Sequence, residues 1–165
     1  MLRFAVNSVG FRSVVVPILP ALLALFVLLV AFPRQAASEI GDTEREILNV
    51  MAEQVRAWNE GDIEGYMEGY DRSDSLRFAS SGDVNYGWKT TMERYKDRYS
   101  TRRKMGILTF SDLDVTLICD DAALVFGQWK LERKDDEPWG LFTLLFRKTE
   151  AGWRIVHDHT SSAGE

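Results

Sequence analysis

Two strands near the end of the chain decide the fold. Residues 140–161 read GLFTLLFRKTEAGWRIVHDHTS, in which the polar stretch from Thr149 to Gly152 separates two runs rich in aromatic and β-branched side chains. Phe142, Leu144 and Phe146 alternate with their neighbours, and this period of two predicts a strand with one buried face. The polar stretch predicts a turn, so we expect the two runs to form an antiparallel hairpin.

The period of two continues backwards from this hairpin. Residues 122–133 predict a long strand, and an earlier strand follows Leu108. Its apolar residues fall at even-numbered positions up to Phe110 and at odd-numbered positions from Leu113 to Leu117. This change predicts a β-bulge near Ser111-Asp112. On the 122–133 strand one face is shared by Val125, Gly127, Trp129 and Leu131.

The first part of the domain has the period of helices instead. Ile47, Met51, Val55 and Trp58 form one apolar stripe at helical spacing. Thr43 and Glu46 fit a capping box at its start, Gly61 fits a left-handed cap at its end, and Asp62 is placed to cap a second, short helix. A short strand at 76–79 and a third helix over roughly 88–100 complete the region.

The order is therefore helix, helix, strand, helix and four antiparallel strands. Consecutive hairpins predict a curved antiparallel sheet, and three amphipathic helices can cover one of its faces. The predicted fold class is α+β.

Three segments resemble the nuclear transport factor 2-like superfamily, in particular its SnoaL-like domains. They are residues 58–66 (WNEGDIEGY), 140–148 and 152–161, and the last also resembles the end of the association domain of calcium/calmodulin-dependent protein kinases. The resemblance covers Ile40 to Ser161 and assigns residues 39–165 to one such domain. It implies a cone-shaped, cystatin-like fold, in which the curved sheet wraps around the three N-terminal helices and leaves a pocket at the wide end. Members include isomerases, dehydratases and polyketide cyclases, whereas others bind ligands or assemble into oligomers.

The last strand carries the candidate catalytic residues His157, Asp158 and His159. On a strand the two histidines point to one face and Asp158 to the other. An imidazole can move protons near neutral pH, and a pocket carboxylate can do the same if the strand faces the other way. Hydrogen bonding to neighbouring strands, or a dimer interface, explains His159 equally well and His157 better. No third ligand is paired with them in sequence, so no metal site is predicted, and no cofactor is expected.

Aromatic side chains supply the second candidate set. Large rings dominate burial in a small domain, but tyrosine hydroxyls in a cavity can orient a carbonyl or stabilise an oxyanion. The candidate ligand-binding residues are Tyr70, Phe78, Trp88, Tyr95, Tyr99, Trp129 and Phe142.

Three functions remain open. The leading hypothesis is a protein that binds a small, partly apolar ligand in the cone. The second is an isomerase-, dehydratase- or cyclase-type enzyme, with His159 or Asp158 as base and Tyr95 or Tyr99 as donor. The third is a non-catalytic oligomerisation module. A homodimer is expected through the outer sheet face, with Trp129 or Trp139 between the subunits.

Residues 1–38 form a separate segment with a net charge of +3. The stretch from Val14 to Phe32 has no charged side chain, Arg3 and Arg12 precede it, and Ala36-Ala37-Ser38 fits a signal-peptidase site. An uncleaved membrane anchor is the alternative, since 19 apolar residues just span a bilayer. Either interpretation predicts a domain outside the cytoplasm, periplasmic or secreted. Membrane contact is expected only through residues 14–32, and only if they stay uncleaved.

The rest of the chain is acidic. Residues 39–165 hold 17 Lys and Arg against 25 Asp and Glu, a net charge of −8, which argues against nucleic acid as a partner. Cys119 is the only cysteine, so no internal disulfide can form. Its apolar neighbours predict a buried thiol.

Overall fold

The helices occupy the first half of the domain. The computed structural model describes residues 41–163, so the predicted export segment at residues 1–38 lies outside the described residues. The helices are α1 at residues 41–60, α2 at Ile63–Met67, α3 at Trp88–Arg98 and α4 at Arg102–Met105. None of the helices over residues 41–163 has the length and apolar character needed to cross a membrane.

Residues at the junction of α1 and α2 behave as predicted. Gly61 has a φ of +88°, the left-handed conformation that ends a helix. The Asp62 Oδ1 atom accepts a hydrogen bond from the Gly65 amide at 2.8 Å and so caps α2. The predicted cap at Thr43 is wrong, because residues 41 and 42 are already helical.

Six strands form one curved sheet. They are β1 at Arg77–Ser80, β2 at Asp83–Tyr86, β3 at Ile107–Cys119, β4 at Ala122–Glu132, β5 at Trp139–Thr149 and β6 at Gly152–Thr160. Their order across the sheet is β2-β1-β6-β5-β4-β3. The four consecutive antiparallel strands β3 to β6 confirm the prediction.

The curved sheet of the predicted fold class is confirmed, but one of its strand pairs is parallel. β1 pairs in parallel with β6, and β1 and β2 form an additional hairpin. The fourth helix, α4, was also not predicted. Parallel pairing joins segments that are far apart in sequence, so no local pattern reports it.

Two bulges set which residues face the helices. In β3 the pairing with β4 shifts between Ser111 and Asp114, and Asp112 has a φ of +52°, which confirms the predicted bulge. In β6 the pairing with β5 shifts between Ile155 and His157. Val156, between them, is an extra residue that has no partner in β5. Ile155 and Asp158 are therefore both buried, although three positions along a regular strand would place them on opposite faces.

The core fills the space between the helices and the concave face of the sheet. Its fully buried large side chains include Ile47, Met51, Met67, Tyr70, Phe146 and Ile155. Cys119, at the end of β3, is exposed instead of buried, and its Sγ donates to Asp121 Oδ1 at 3.1 Å. The prediction of a structural core thiol is therefore wrong.

Candidate active site in the cone

A cavity of about 100 Å³ lies inside the cone. Side chains from α1, α2, α3 and the concave face of the sheet line it, and most of them are aromatic or aliphatic. A water molecule requires about 10–15 Å³ on this scale, so the cavity holds roughly seven to ten atoms the size of a water oxygen. It is therefore sized for a small organic molecule or for one end of a larger one.

Among residues 41–163, one carboxyl group lies in this cavity. Asp158 is only 5% exposed, and Tyr70 Oη donates a hydrogen bond to its Oδ2 atom at 2.8 Å. Burial raises the pKa of Asp158 from 3.8 to about 7, although the hydrogen bond from Tyr70 lowers it in part. Its Oδ1 atom is buried and has no hydrogen-bond partner among residues 41–163. At neutral pH this carboxyl can therefore both take up and release a proton.

A group of tyrosines extends from this carboxyl through the cavity. Tyr66 Oη lies 3.4 Å from Tyr70 Oη, and either hydroxyl can be the donor. The rings of Tyr66 and Tyr95 are 5.3 Å apart, and those of Tyr95 and Tyr99 are 5.7 Å apart. Burial raises the pKa of all four hydroxyls, so they stay protonated and can donate hydrogen bonds at neutral pH.

The two histidines lie on the other side of β6. His159 is exposed, His157 is half-buried, and neither lines the cavity. Burial, the Arg77 charge and the His159 charge lower the pKa of His157. Of the three candidate catalytic residues, the structure brings only Asp158 together with the tyrosines.

Six of the seven candidate ligand-binding residues line the cavity: Tyr70, Phe78, Tyr95, Tyr99, Trp129 and Phe142. Trp88 does not line it. At the start of α3, Trp88 Nε1 donates to the Met67 carbonyl at 3.0 Å, and the Arg72 guanidinium lies 4.7 Å from the centre of its ring. Trp88 therefore joins the end of α2 to α3.

Polar lining residues were missed by sequence reasoning. Gln54 is 1% exposed, and its Nε2 donates to the Tyr66 carbonyl at 3.1 Å while its Oε1 has no partner in the described chain. The available indication was its place on the apolar stripe of α1, three residues after Met51 and four before Trp58. Arg94 and Arg98 of α3 also line the cavity.

Metal binding has no candidate in this part of the protein. Over residues 41–163, no three His, Cys, Asp or Glu side chains come together in a way that could hold a metal ion.

A curved six-stranded sheet packed against helices defines a class of cone-shaped α+β domains. The sequence model of the SnoaL-like domain matches residues 47–165. The chain belongs to this SnoaL-like family, within the nuclear transport factor 2-like superfamily. A search of curated protein sequences found no match to this chain.

Solved structures agree with this assignment. A nuclear transport factor 2-like protein of unknown function from Shewanella oneidensis is 36% identical, with a TM-score of 0.69 over 72% of this chain and 98% of its own. A cystatin-like protein from Novosphingobium aromaticivorans is 17% identical, with a TM-score of 0.64 over 79% and 88%. A ketosteroid isomerase-like protein from Erwinia carotovora atroseptica is 18% identical, with a TM-score of 0.59 over 72% and 95%. The last two likenesses show the fold alone.

Proposed function

We propose that the domain binds a small, largely apolar carbonyl compound in the cone and moves a proton on it, with Asp158 as the base. One observation carries this proposal: a buried carboxyl with a pKa of about 7 accepts a tyrosine hydrogen bond inside an apolar cavity. A base whose pKa lies near the working pH is ionised in a large fraction of the molecules and is still basic enough to remove a proton from the substrate.

The chemistry requires one base and one hydrogen-bond donor. The Asp158 carboxylate removes a proton from a carbon next to the carbonyl and returns it to the same or another carbon. A tyrosine hydroxyl donates to the carbonyl oxygen while negative charge develops there, which lowers the barrier in a site of low polarity. Tyr66 and Tyr95 are suited to this role, because Tyr70 already donates to Asp158.

Hydrogen–deuterium exchange on simple ketones tests the proton transfer. Cyclohexanone and acetophenone, with seven and nine non-hydrogen atoms, are incubated with the full chain in D₂O, and NMR follows exchange at the carbon beside the carbonyl. We expect exchange to be about a hundredfold slower with Asp158→Asn, because general-base catalysis contributes at least this factor.

Asp114→Asn is the matched control, since Asp114 is an exposed carboxyl on β3. The control is expected to exchange at the wild-type rate. Equal rates for wild type and Asp158→Asn would remove Asp158 as the base.

A homodimer through the outer sheet face is a second part of the proposal. The outward side chains Leu124, Phe126 and Leu141 on β4 and β5 are 36%, 46% and 42% exposed. Contiguous apolar area on a sheet face is typical of an interaction site. Trp139 is 44% exposed and fits this surface, whereas Trp129 faces the cavity and donates to Thr160 Oγ1 at 2.9 Å. Trp129 therefore has no place in the proposed interface.

We also propose export of the domain. The uncharged stretch at residues 14–32, the arginines before it and the small residues at 36–38 support this.

A further inference from the structure

Two arginines of α3 line the cone cavity. Arg94 and Arg98 are four residues apart and therefore lie on the same helix face, where like charges repel each other. Neither forms an ion pair with an acidic side chain within residues 41–163. Among the described residues, α3 thus brings two positive charges without an ion-pair partner to one part of the cavity, with Arg94 half-buried and Arg98 exposed.

Arg94 is held there by specific contacts. Its Nη2 atom donates to Ser80 Oγ at 3.0 Å, and its guanidinium lies 5.4 Å from the centre of the Phe78 ring. Its Nη1 atom is buried and has no hydrogen-bond partner in the described part of the chain. A buried charged donor without an acceptor is costly, so the position calls for an anionic acceptor.

Strand register relates the contacts of this donor to the base. Phe78 of β1 pairs with Asp158 of β6, and Ser80 pairs with Thr160 two residues further along. The Arg94 guanidinium contacts both Phe78 and Ser80, so it lies beside the stretch of β1 that pairs with Asp158 and Thr160.

Local charge favours an anion in this part of the cavity. Residues 39–165 carry a net charge of −8, which repels anions at long range, yet the described lining residues include two arginines and a single carboxyl. Among residues 41–163 the arginines therefore form a local positive site in an acidic domain.

We infer that Arg94, assisted by Arg98, binds the carboxylate of a small organic acid whose apolar body extends along Phe78 towards Asp158. This inference rests on the proposed function and names its ligand class. A guanidinium binds a carboxylate through two parallel hydrogen bonds, which the free Nη1 atom allows. The cavity volume of about 100 Å³ limits the buried body to the size of one ring.

Paired acids and amides test the inference on the full chain. Dissociation constants of benzoate and phenylacetate are measured by calorimetry beside those of benzamide and phenylacetamide, which have the same shape and no charge. We expect the acids to bind at least about tenfold more tightly than the amides, because charge-assisted hydrogen bonds are about twice as strong as neutral ones. Inorganic phosphate, an anion without an apolar body, is expected to bind more weakly than benzoate.

Arg94→Gln is expected to lose this preference for acids while its affinity for the amides is unchanged. Arg94→Lys should restore part of it, since the charge returns without the planar fork. Lys89→Gln is the matched control, because Lys89 is an exposed cation of the same helix that does not line the cavity.

The outcomes separate this inference from the proposed function. Equal binding of acids and amides, or an unchanged preference in Arg94→Gln, would overturn the anion subsite and leave proton transfer by Asp158 standing. Preferred binding of the acids without ketone exchange would keep the subsite and overturn the catalytic proposal. Absence of binding by both series at millimolar concentration would also overturn the anion subsite, whereas ketone exchange alone decides the catalytic proposal.

Discussion

Asp158 is a buried acid whose ionisation opposes folding. Its pKa is about 7 in the folded protein and close to the ordinary value of 3.8 in the unfolded chain. Below pH 3.8 the group is protonated in both states and costs nothing. As the pH rises to 7 the unfolded state loses this proton first, so the folded state loses stability over this range.

Asp158→Asn is therefore expected to make stability less dependent on pH. The asparagine carbonyl still accepts the hydrogen bond from Tyr70 and carries no charge. The two proteins should be about equally stable at pH 4, whereas the variant should be more stable by about 4 kcal/mol at pH 8. Urea unfolding across this pH range provides the measurement, and parallel curves for the two proteins would contradict a raised pKa for Asp158.

The bulge in β6 decides which of the three candidate catalytic residues faces the cavity. Alternation along a strand correctly separated Asp158 from His157 and His159. Which group faces the cavity depends on the extra residue in β6 between Ile155 and His157. Trp153 and Ile155 fall on one face of a regular strand and Val156 on the other, and all three are apolar. The alternation of apolar and polar residues therefore does not show where the bulge lies.

At the scale of elements, the outer face of the sheet carries the dimer proposal. Leu124 lies across from Leu145, and Phe126 lies across from Thr143, in the β4–β5 pairing. The helices of residues 41–163 pack on the concave side, so none of them covers this face. Its exposed apolar side chains are therefore available to a second copy of the chain.

Light scattering after size-exclusion chromatography tests this dimer. The full chain is expected to elute as a dimer, and Phe126→Glu as a monomer, because a buried charge without a partner destabilises an interface. Val84→Glu changes another apolar side chain, 41% exposed on β2, and should leave the dimer intact. A wild-type monomer at high concentration would remove the interface proposal.

The two bulges differ in how far sequence could predict them. In β3, Leu108 and Phe110 share one parity and Leu113, Val115 and Leu117 the other, so the change is visible in the chain. In β6 the apolar residues fall on both faces, so the bulge is not visible in the sequence. The parallel β1–β6 pairing joins segments that are far apart in the chain, so no local pattern predicts it. Most of the sheet was therefore predictable, whereas the orientation of the site strand was not.

At the scale of the whole molecule, the export segment and the acidic domain are separate predictions. Expression of the full chain in a bacterial host, followed by fractionation and intact-mass measurement, tests export. We expect a chain of 127 residues that begins at Glu39 in the periplasm, since Ala36-Ala37-Ser38 fits a cleavage site. An uncleaved chain in the membrane would favour the anchor, and an uncleaved chain in the cytoplasm would contradict both interpretations.

The sequence by itself determined the α+β class, the four-strand meander, the helix caps at Gly61 and Asp62, and the family. The family follows from the resemblance of three segments, and the other features follow from local periodicity and turn chemistry, which act between residues that are close in the chain. Only the tertiary structure brought Tyr70 of one segment to Asp158 of another, 88 positions away, and set Arg94 beside Ser80. Cavity shape, burial and the pKa of Asp158 arise from contacts between distant segments, so the candidate chemistry became visible only in the folded cone.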